Sequence, residues 1–190
     1  MPARRTPLRL ATLLLSAVAL LAARPHVGAA QREGGLNFTG ALSINLPTGS
    51  LTSDVGSGIG IMIRNASRRS GDWGLRTGLS FDRFSGKGRI DNLQFFTFFG
   101  GELVRYVGDH AYLFAGVGAY NTRVAEKTTA VSGTDTTSRK SSGFDFGFQG
   151  GVGANFSIMG LGMFVESGII HVITVGPSTS WVPVRIGLRL

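Results

Sequence analysis

Hydrophobic and polar residues alternate along most of the chain beyond residue 35, and the segment from Phe144 to Phe156 is the most regular case. One parity of this segment is apolar: Phe144, Phe146, Phe148, Val152, Ala154 and Phe156. The other parity carries Asp145, Gln149 and Asn155 between glycines. A period of two is typical of a β-strand with one apolar face. The segment exceeds the roughly 5–6 residues of an ordinary strand and fits the roughly 9–11 that a tilted strand needs to cross a bilayer.

Seven further segments alternate in the same way, so the sequence predicts eight strands. The eight predicted strands, including the segment from Phe144 to Phe156, cover residues 36–46, 57–66, 73–84, 93–107, 111–124, 144–156, 163–174 and 181–190. Phenylalanines occupy both parities of the fourth segment. A β-bulge at Gly100 and Gly101 would switch its parity, leaving Phe96 and Phe98 outside and Glu102 inside.

The predicted connections alternate in length along the chain. Those after odd-numbered strands are long (47–56, 85–92, 125–142, 174–180), and those after even-numbered strands are short (66–72, 108–110, 157–162). Transmembrane barrels show this asymmetry between long extracellular loops and short periplasmic turns. The pattern therefore predicts an all-β, antiparallel, up-and-down transmembrane barrel of eight strands.

The charged side chains support a membrane barrel because they fall on the parity opposite the apolar band. The predicted inner face carries Arg64, Arg76, Asp82, Glu102, Arg123, Asp145, Gln149, Glu166, Arg185 and Arg189. A soluble barrel would need apolar residues there, whereas a polar interior is expected when the surroundings are hydrocarbon.

Eight strands leave a lumen just wide enough for side chains to fill. We therefore interpret the interior charges as a mutually neutralising plug, with a polar channel as the alternative. The plug would pair four cations with four anions: Arg76, Arg123, Arg185 and Arg189 among Asp82, Glu102, Asp145 and Glu166. The sequence leaves open which partners meet.

The first thirty residues predict a cleaved signal peptide rather than a retained anchor. Three basic residues, Arg4, Arg5 and Arg9, precede an apolar run over residues 10–23. This run is shorter than the roughly 20 residues of a spanning helix. A stretch of small residues that ends at Ala30 is typical of a cleavage site. The predicted domains are therefore a signal peptide, 1–30, and a barrel, 31–190. Cleavage would lower the formal net charge from +8 to +4. The remaining basic residues are scattered, so no nucleic-acid partner is expected.

Local motifs resemble the small eight-stranded outer-membrane barrels, the OmpA/OmpX-like group. They are Leu46-Pro47-Thr48-Gly49, the stretch from Ala111 to Gly118, Phe164-Val165-Glu166 and the terminal strand. The resemblance covers residues 36–190 and implies export through the periplasm, contact with outer-membrane lipid and lipopolysaccharide, insertion by the outer-membrane assembly machinery, and a monomer. Such barrels usually end on an aromatic residue, whereas this chain ends on Leu190.

Several surface residues carry weaker expectations. The aromatic residues near predicted strand ends, Trp73, Phe84, Tyr106, Tyr112 and Trp181, would form interfacial girdles. The predicted outer loops carry the cations Lys87, Arg89, Lys127, Arg139 and Lys140. These cations could bind lipopolysaccharide phosphates, although the favoured interpretation is that their charge keeps the loops soluble.

No catalytic, cofactor-binding or metal-binding residue is predicted. Glycine clusters such as Gly116-Val117-Gly118 lack the following helix of a nucleotide site. His171 and Ser167 share the lipid-facing side, but four residues along a strand put them too far apart for proton transfer. The favoured function is a structural, adhesive or interaction role presented by outer loops, chiefly residues 125–142. The alternatives are a narrow pore or small-solute transporter, a lipid-modifying enzyme, and a soluble periplasmic lipocalin-like barrel.

Overall fold

A computed structural model describes residues 37–68, 71–127, 140–174 and 178–189. They form a closed antiparallel barrel in which each strand pairs with the next and the last pairs with the first. The strands are β1 (Asn37–Thr48), β2 (Val55–Arg68), β3 (Trp73–Gly86), β4 (Ile90–Val107), β5 (Ala111–Glu126), β6 (Lys140–Ile158), β7 (Leu161–Ile173) and β8 (Thr179–Arg189). A single helical turn, α1 (Leu51–Asp54), precedes β2. In the described ranges, no helix has the length and hydropathy to cross a membrane.

The eight predicted strands and the closed antiparallel barrel are confirmed, but most strands extend into predicted loops. The largest difference concerns residues 125–142, where Ala125 pairs with Lys140 and Arg123 pairs with Ser142. The pairing of β3 with β4 likewise continues to Ser85 and Asn92. The sequence does not show these strand ends, because the outward residues there are polar. Hydrophobic and polar residues no longer alternate once a strand extends beyond the apolar band.

The connections define two ends of the barrel. We call the end with residues 49–54, 87–89, 127–139 and 174–178 the loop end, and the end with residues 69–72, 108–110 and 159–160 the turn end. The predicted length asymmetry holds except at residues 87–89, which form a connection as short as those of the turn end. The predicted signal peptide (residues 1–30), residues 128–139 and Leu190 lie outside the described residues.

The predicted bulge in β4 is confirmed. The register with β5 shifts between Phe99 and Gly101. Phe96 and Phe98 are about half exposed on the outer surface, whereas Glu102 is fully buried in the interior. The extra residue thus turns a charged side chain inward.

The outer surface carries an apolar band contributed by every strand. Its members include Leu42, Ile61, Leu79, Phe98, Val117, Phe146, Ile169 and Ile186. The interior contains a polar and charged centre between apolar clusters, one near the loop end and others toward the turn end. Each face follows from strand parity, because successive side chains point to opposite sides of the sheet.

Inward glycines make room for the largest interior side chains. Tyr112 lies across from Gly153, Phe164 across from Gly187, and both glycines would clash with the facing ring if they carried a Cβ. The high glycine content of the chain thus has a packing role in a narrow lumen.

Candidate functional site in the barrel interior

An ionic cluster occupies the middle of the lumen and joins side chains from five strands. Arg64 comes from β2, Arg76 from β3, Glu102 from β4, Glu166 from β7 and Arg185 from β8. All five side chains are at most 8% exposed. Inward parity brings each residue into the lumen, and barrel closure brings the distant strands together.

Glu166 is the centre of this cluster. Its Oε2 accepts hydrogen bonds from Arg64 at 2.8 Å and Arg76 at 3.3 Å, and its Oε1 accepts one from Arg185 at 3.0 Å. The hydroxyl of Tyr112 donates to the same Oε2 at 3.0 Å. Three cations on one buried carboxylate make this position intolerant of charge removal.

Glu102 is the second anion of the cluster. Arg64 donates to its Oε2 at 3.0 Å, and the Gln149 amide donates to its Oε1 at 2.7 Å. Arg76 Nε lies 2.6 Å from Oε2 as an ion pair without hydrogen-bond alignment. The two glutamates and the arginines therefore form a cross-braced network rather than separate pairs.

The arginines also lie over aromatic rings on their turn-end side. Arg76 is 4.9 Å from the ring centre of Phe114 and 5.2 Å from that of Tyr112, and Arg64 is 5.5 Å from that of Phe164. Cation–π contacts of desolvated guanidinium groups add to the ionic network. The cluster is thus packed against apolar side chains, as a structural plug would be.

Asp82 is buried apart from these ion pairs and is held by neutral donors. Its Oδ1 accepts from Asn45 at 2.7 Å and from Ser43 at 3.5 Å, and its Oδ2 accepts from Ser80 at 3.0 Å. These donors were not identified from the sequence, although Ser43 and Asn45 share the inward parity of β1. Small hydroxyl and amide side chains thus supply the hydrogen bonds of Asp82, and Arg185 acts on it only electrostatically, from beyond salt-bridge distance.

A layer of aromatic rings crosses the lumen nearer the loop end. Trp181 of β8 stacks on Phe95 of β4 with ring centres 4.6 Å apart, and it forms T-shaped contacts with Phe84 and Tyr120, whose ring centres are 5.7 and 6.1 Å away. β4 and β8 lie on opposite sides of an eight-stranded ring. Trp181 and Phe95 together therefore span the lumen, and both side chains are fully buried.

This layer corrects the predicted aromatic girdle. Phe84, Tyr112 and Trp181 are buried inside the barrel, whereas Trp73 is exposed on the outer surface beside Arg105. Strand parity predicts an interior position for Trp181, because Trp181 lies on the same parity of β8 as the inward Arg185. Closeness to a strand end does not distinguish an aromatic residue of the outer girdle from one inside the barrel.

The remaining predicted interior residues lie outside the central cluster. Asp145 accepts from the Thr122 hydroxyl at 3.0 Å near the loop end, and Arg189 lies beside Gly162 near the turn end. The interior position predicted for Arg123 is wrong. Its side chain is exposed and bonded to Asn121, because odd positions of β5 point outward with Leu113 and Val117. Arg64, which the pairing scheme omitted, takes part in the central cluster instead.

One serine–histidine contact was missed by the sequence reasoning. His171 Nδ1 lies 2.7 Å from Ser180 Oγ, on neighbouring strands and on the outward parity of β7. The ring of Phe148 packs 4.9 Å from the imidazole. Within the described ranges, no carboxylate hydrogen-bonds to His171, so the pair lacks the orienting acid of a hydrolytic triad.

Comparison with known proteins finds similar solved structures. No family model matches the chain, and no curated protein matches its sequence. The attachment invasion locus protein Ail of Yersinia pestis superposes with a TM-score of 0.57 at 12% identity, covering 83% of this chain and 99% of Ail. A major outer membrane protein from Thermus thermophilus gives 0.56 at 12% identity, with 82% and 100% covered.

Neisserial surface protein A gives a TM-score of 0.52 at 13% identity, with 83% of this chain and 97% of that protein covered. At such identities the similarity establishes a common fold. The structural neighbours are small outer-membrane barrels of eight strands, so the resemblance predicted from the sequence is confirmed.

Proposed function

We propose that the protein is exported through the periplasm to the outer membrane of a Gram-negative-type envelope. There it acts as a non-catalytic barrel whose loop end presents a structural, adhesive or interaction surface. The observation that carries the proposal is the apolar outer band around a polar centre: Ile59, Phe146 and Leu42 are 70%, 67% and 65% exposed. An outer surface of this kind is stable in hydrocarbon and is an aggregation hazard in water.

The orientation follows from the even strand number. β1 begins and β8 ends at the turn end, where Thr39 pairs with Arg189. A chain inserted from the periplasm leaves these ends on the periplasmic side, so the loop end faces outward. Strands β3 to β6 continue beyond the apolar band at the loop end. Their polar outward side chains give the loop end a larger interaction surface than the turn end.

The interior supports a closed barrel rather than a pore. Both cross-lumen layers consist of buried side chains: the ionic cluster around Glu166 and the rings around Trp181. A water-filled path would have to pass both layers, and the interior of an eight-stranded barrel is just wide enough for side chains to fill.

The proposal is tested by fractionating cells that express the full chain and running the outer-membrane fraction on SDS gels. A folded barrel should resist SDS unheated, migrate differently after boiling, and expose its loop end to protease added to intact cells. Recovery in the soluble periplasmic fraction, without a heat-induced shift, would contradict the proposal and favour a lipocalin-like barrel.

A lipid-modifying enzyme is the second candidate, and the His171–Ser180 hydrogen bond favours it. This pair lies on the outward parity, where lipid would be the substrate. The test compares lipid profiles of cells expressing the native chain, His171→Ala and Ser180→Ala. We expect identical profiles because no carboxylate of the described residues orients the His171 ring. A deacylated or acyl-transferred lipid present only with the native chain would establish the enzyme instead.

A further inference from the structure

Two arginines and a glutamine form one row on the outer surface at the loop end. Arg83 of β3 pairs in register with Gln94 of β4, and Gln94 pairs with Arg123 of β5. Both arginines are exposed, and Gln94 is half-buried. The strands that carry the arginines are roughly 9–10 Å apart, so two long side chains on either side of Gln94 can reach a common anion.

Exposed phenylalanines lie directly beneath this row. The next outward positions toward the turn end are Phe81 on β3, Phe96 on β4, the polar Asn121 on β5 and Phe144 on β6. The three phenylalanines are 38%, 50% and 66% exposed. Cationic groups above an exposed phenyl row match a molecule with an anionic head and hydrocarbon chains. This combination distinguishes the row from loop charge that only aids solubility.

The row belongs to a basic sector on one side of the barrel. Arg89 and Lys127 are exposed above it and are joined by a backbone hydrogen bond of 2.7 Å. On β1, β2 and β8, outward residues at the same end are the neutral Thr48, Ser57 and Ser180. Among the described residues, the exposed cations of the loop end therefore share one sector. The same sector carries the exposed carboxylates Asp91 and Glu126, which lie on the inward parity of β4 and β5 and not in the outward row.

The arginines of the row are available for a ligand. Within the described part of the chain, Arg83 makes no hydrogen bond or ion pair, and Arg123 has only a 3.3 Å bond from Nε to Asn121. By contrast, the outward Arg105 near the turn end lies 5.6 Å from the ring centre of Trp73. Its guanidinium is thus already engaged by the protein.

We propose that Arg83, Gln94 and Arg123 form a binding site for the phosphate of a glycolipid in the outer leaflet, the chemistry of the lipid A part of lipopolysaccharide. Guanidinium groups bind phosphate bidentately, and the phenylalanines below contact acyl chains. Gln94 already donates one amide hydrogen to Asn92 at 2.9 Å, and its second amide hydrogen donates to a phosphate or sugar oxygen. The site deepens the proposed function, since it requires the loop end to lie in the outer leaflet.

The experiment measures lipid retention on the full-length mature barrel by native mass spectrometry. The probes are bisphosphorylated lipid A, its fully dephosphorylated form, and phosphatidylglycerol as an anionic lipid without the sugar. The native chain should prefer bisphosphorylated lipid A over both other probes. Arg83→Gln with Arg123→Gln should weaken this binding about 25-fold, since each basic group contributes roughly fivefold near an anionic lipid surface.

Arg105→Gln is the matched control, because it removes an outward arginine at the opposite rim and should leave binding unchanged. Equal retention of phosphorylated and dephosphorylated lipid A by the native chain would overturn the site, and this comparison needs no variant. Equal binding of phosphatidylglycerol, or an equal loss in Arg105→Gln, would show general attraction to anionic lipid and also overturn it. A heat-modifiable barrel that fails here refutes the lipid site while leaving the proposed function intact.

Discussion

At the residue scale, the interior is organised by pairing glycine with a large side chain on the neighbouring strand. Gly153 faces Tyr112, Gly187 faces Phe164, and Gly116 faces Glu102, whose Cα would lie 2.8 Å from an added Cβ. The sequence shows the alternation of these glycines but not their partners, because the partners depend on the register between strands. Register is a property of the closed sheet and cannot be read from one strand.

Gly153→Ala should therefore destabilise the barrel by about 1–3 kcal/mol, since the new methyl group collides with the ring of Tyr112, whose hydroxyl is held by its hydrogen bond to Glu166. The measurement is the urea concentration at which half of the unheated SDS band is lost. Gly40→Ala is the matched control, because nothing lies within 4 Å of its added Cβ. Equal midpoints for the two variants would contradict the packing argument.

Glu166→Gln should be costlier, at about 3–5 kcal/mol, because it leaves three buried arginines with one fewer anion. The same urea titration measures this loss. Glu126→Gln removes an equal charge from an exposed site at the loop end and should have little effect. If Glu166→Gln unfolded at the native midpoint, the ionic cluster would not contribute to stability.

At the element scale, alternation alone predicted the number of strands and the bulge in β4, whereas the strand ends were misjudged. The bulge could be predicted because Phe95, Phe96, Phe98 and Phe99 break the parity immediately before two glycines. The ends of β5 and β6 could not, because Arg123 and Ser142 are polar residues on the outward face. Beyond the apolar band, a paired strand and a polar loop have similar compositions.

Deleting Gly100 should prevent folding, because a strand without the extra residue turns Glu102 toward lipid and removes its contacts with Arg64, Arg76 and Gln149. The expected result is loss of the unheated SDS band. Gly100→Ala keeps the chain length, and its Cβ would be 4.0 Å from the nearest atom, a Phe98 ring carbon. It should fold like the native chain, and a stable deletion variant would show that the bulge is dispensable.

At the scale of the whole molecule, the sequence predicted a polar interior but not its layered arrangement. Trp181 reaches Phe95, and Arg76 reaches Glu166, across strands that are far apart in the chain. These contacts depend on tilt and closure of the barrel, which individual strands do not encode. The same geometry brings Arg64 into the central cluster, whereas Arg123 lies outside by the parity of β5 alone.

A lumen crossed by these two layers should not conduct. Purified native protein inserted in a planar bilayer with concentrated KCl is expected to give no single-channel current steps, because the rings at Trp181 and the ions at Glu166 leave no continuous water path. An empty detergent preparation and a known porin serve as controls. Reproducible steps of uniform size would favour the narrow pore or transporter.

The central claim is that the apolar parity of each strand faces lipid and the polar parity faces a closed interior. The chain contains no cysteine, so single spin labels can be placed along β6 and their accessibility to oxygen and to a water-soluble nickel complex measured in bilayers. Labels at Phe146, Phe148 and Val152 should be accessible to oxygen and shielded from nickel, and a label at Gln149 should be accessible to neither. Nickel access at the phenylalanine positions, or an absence of alternation, would contradict the account.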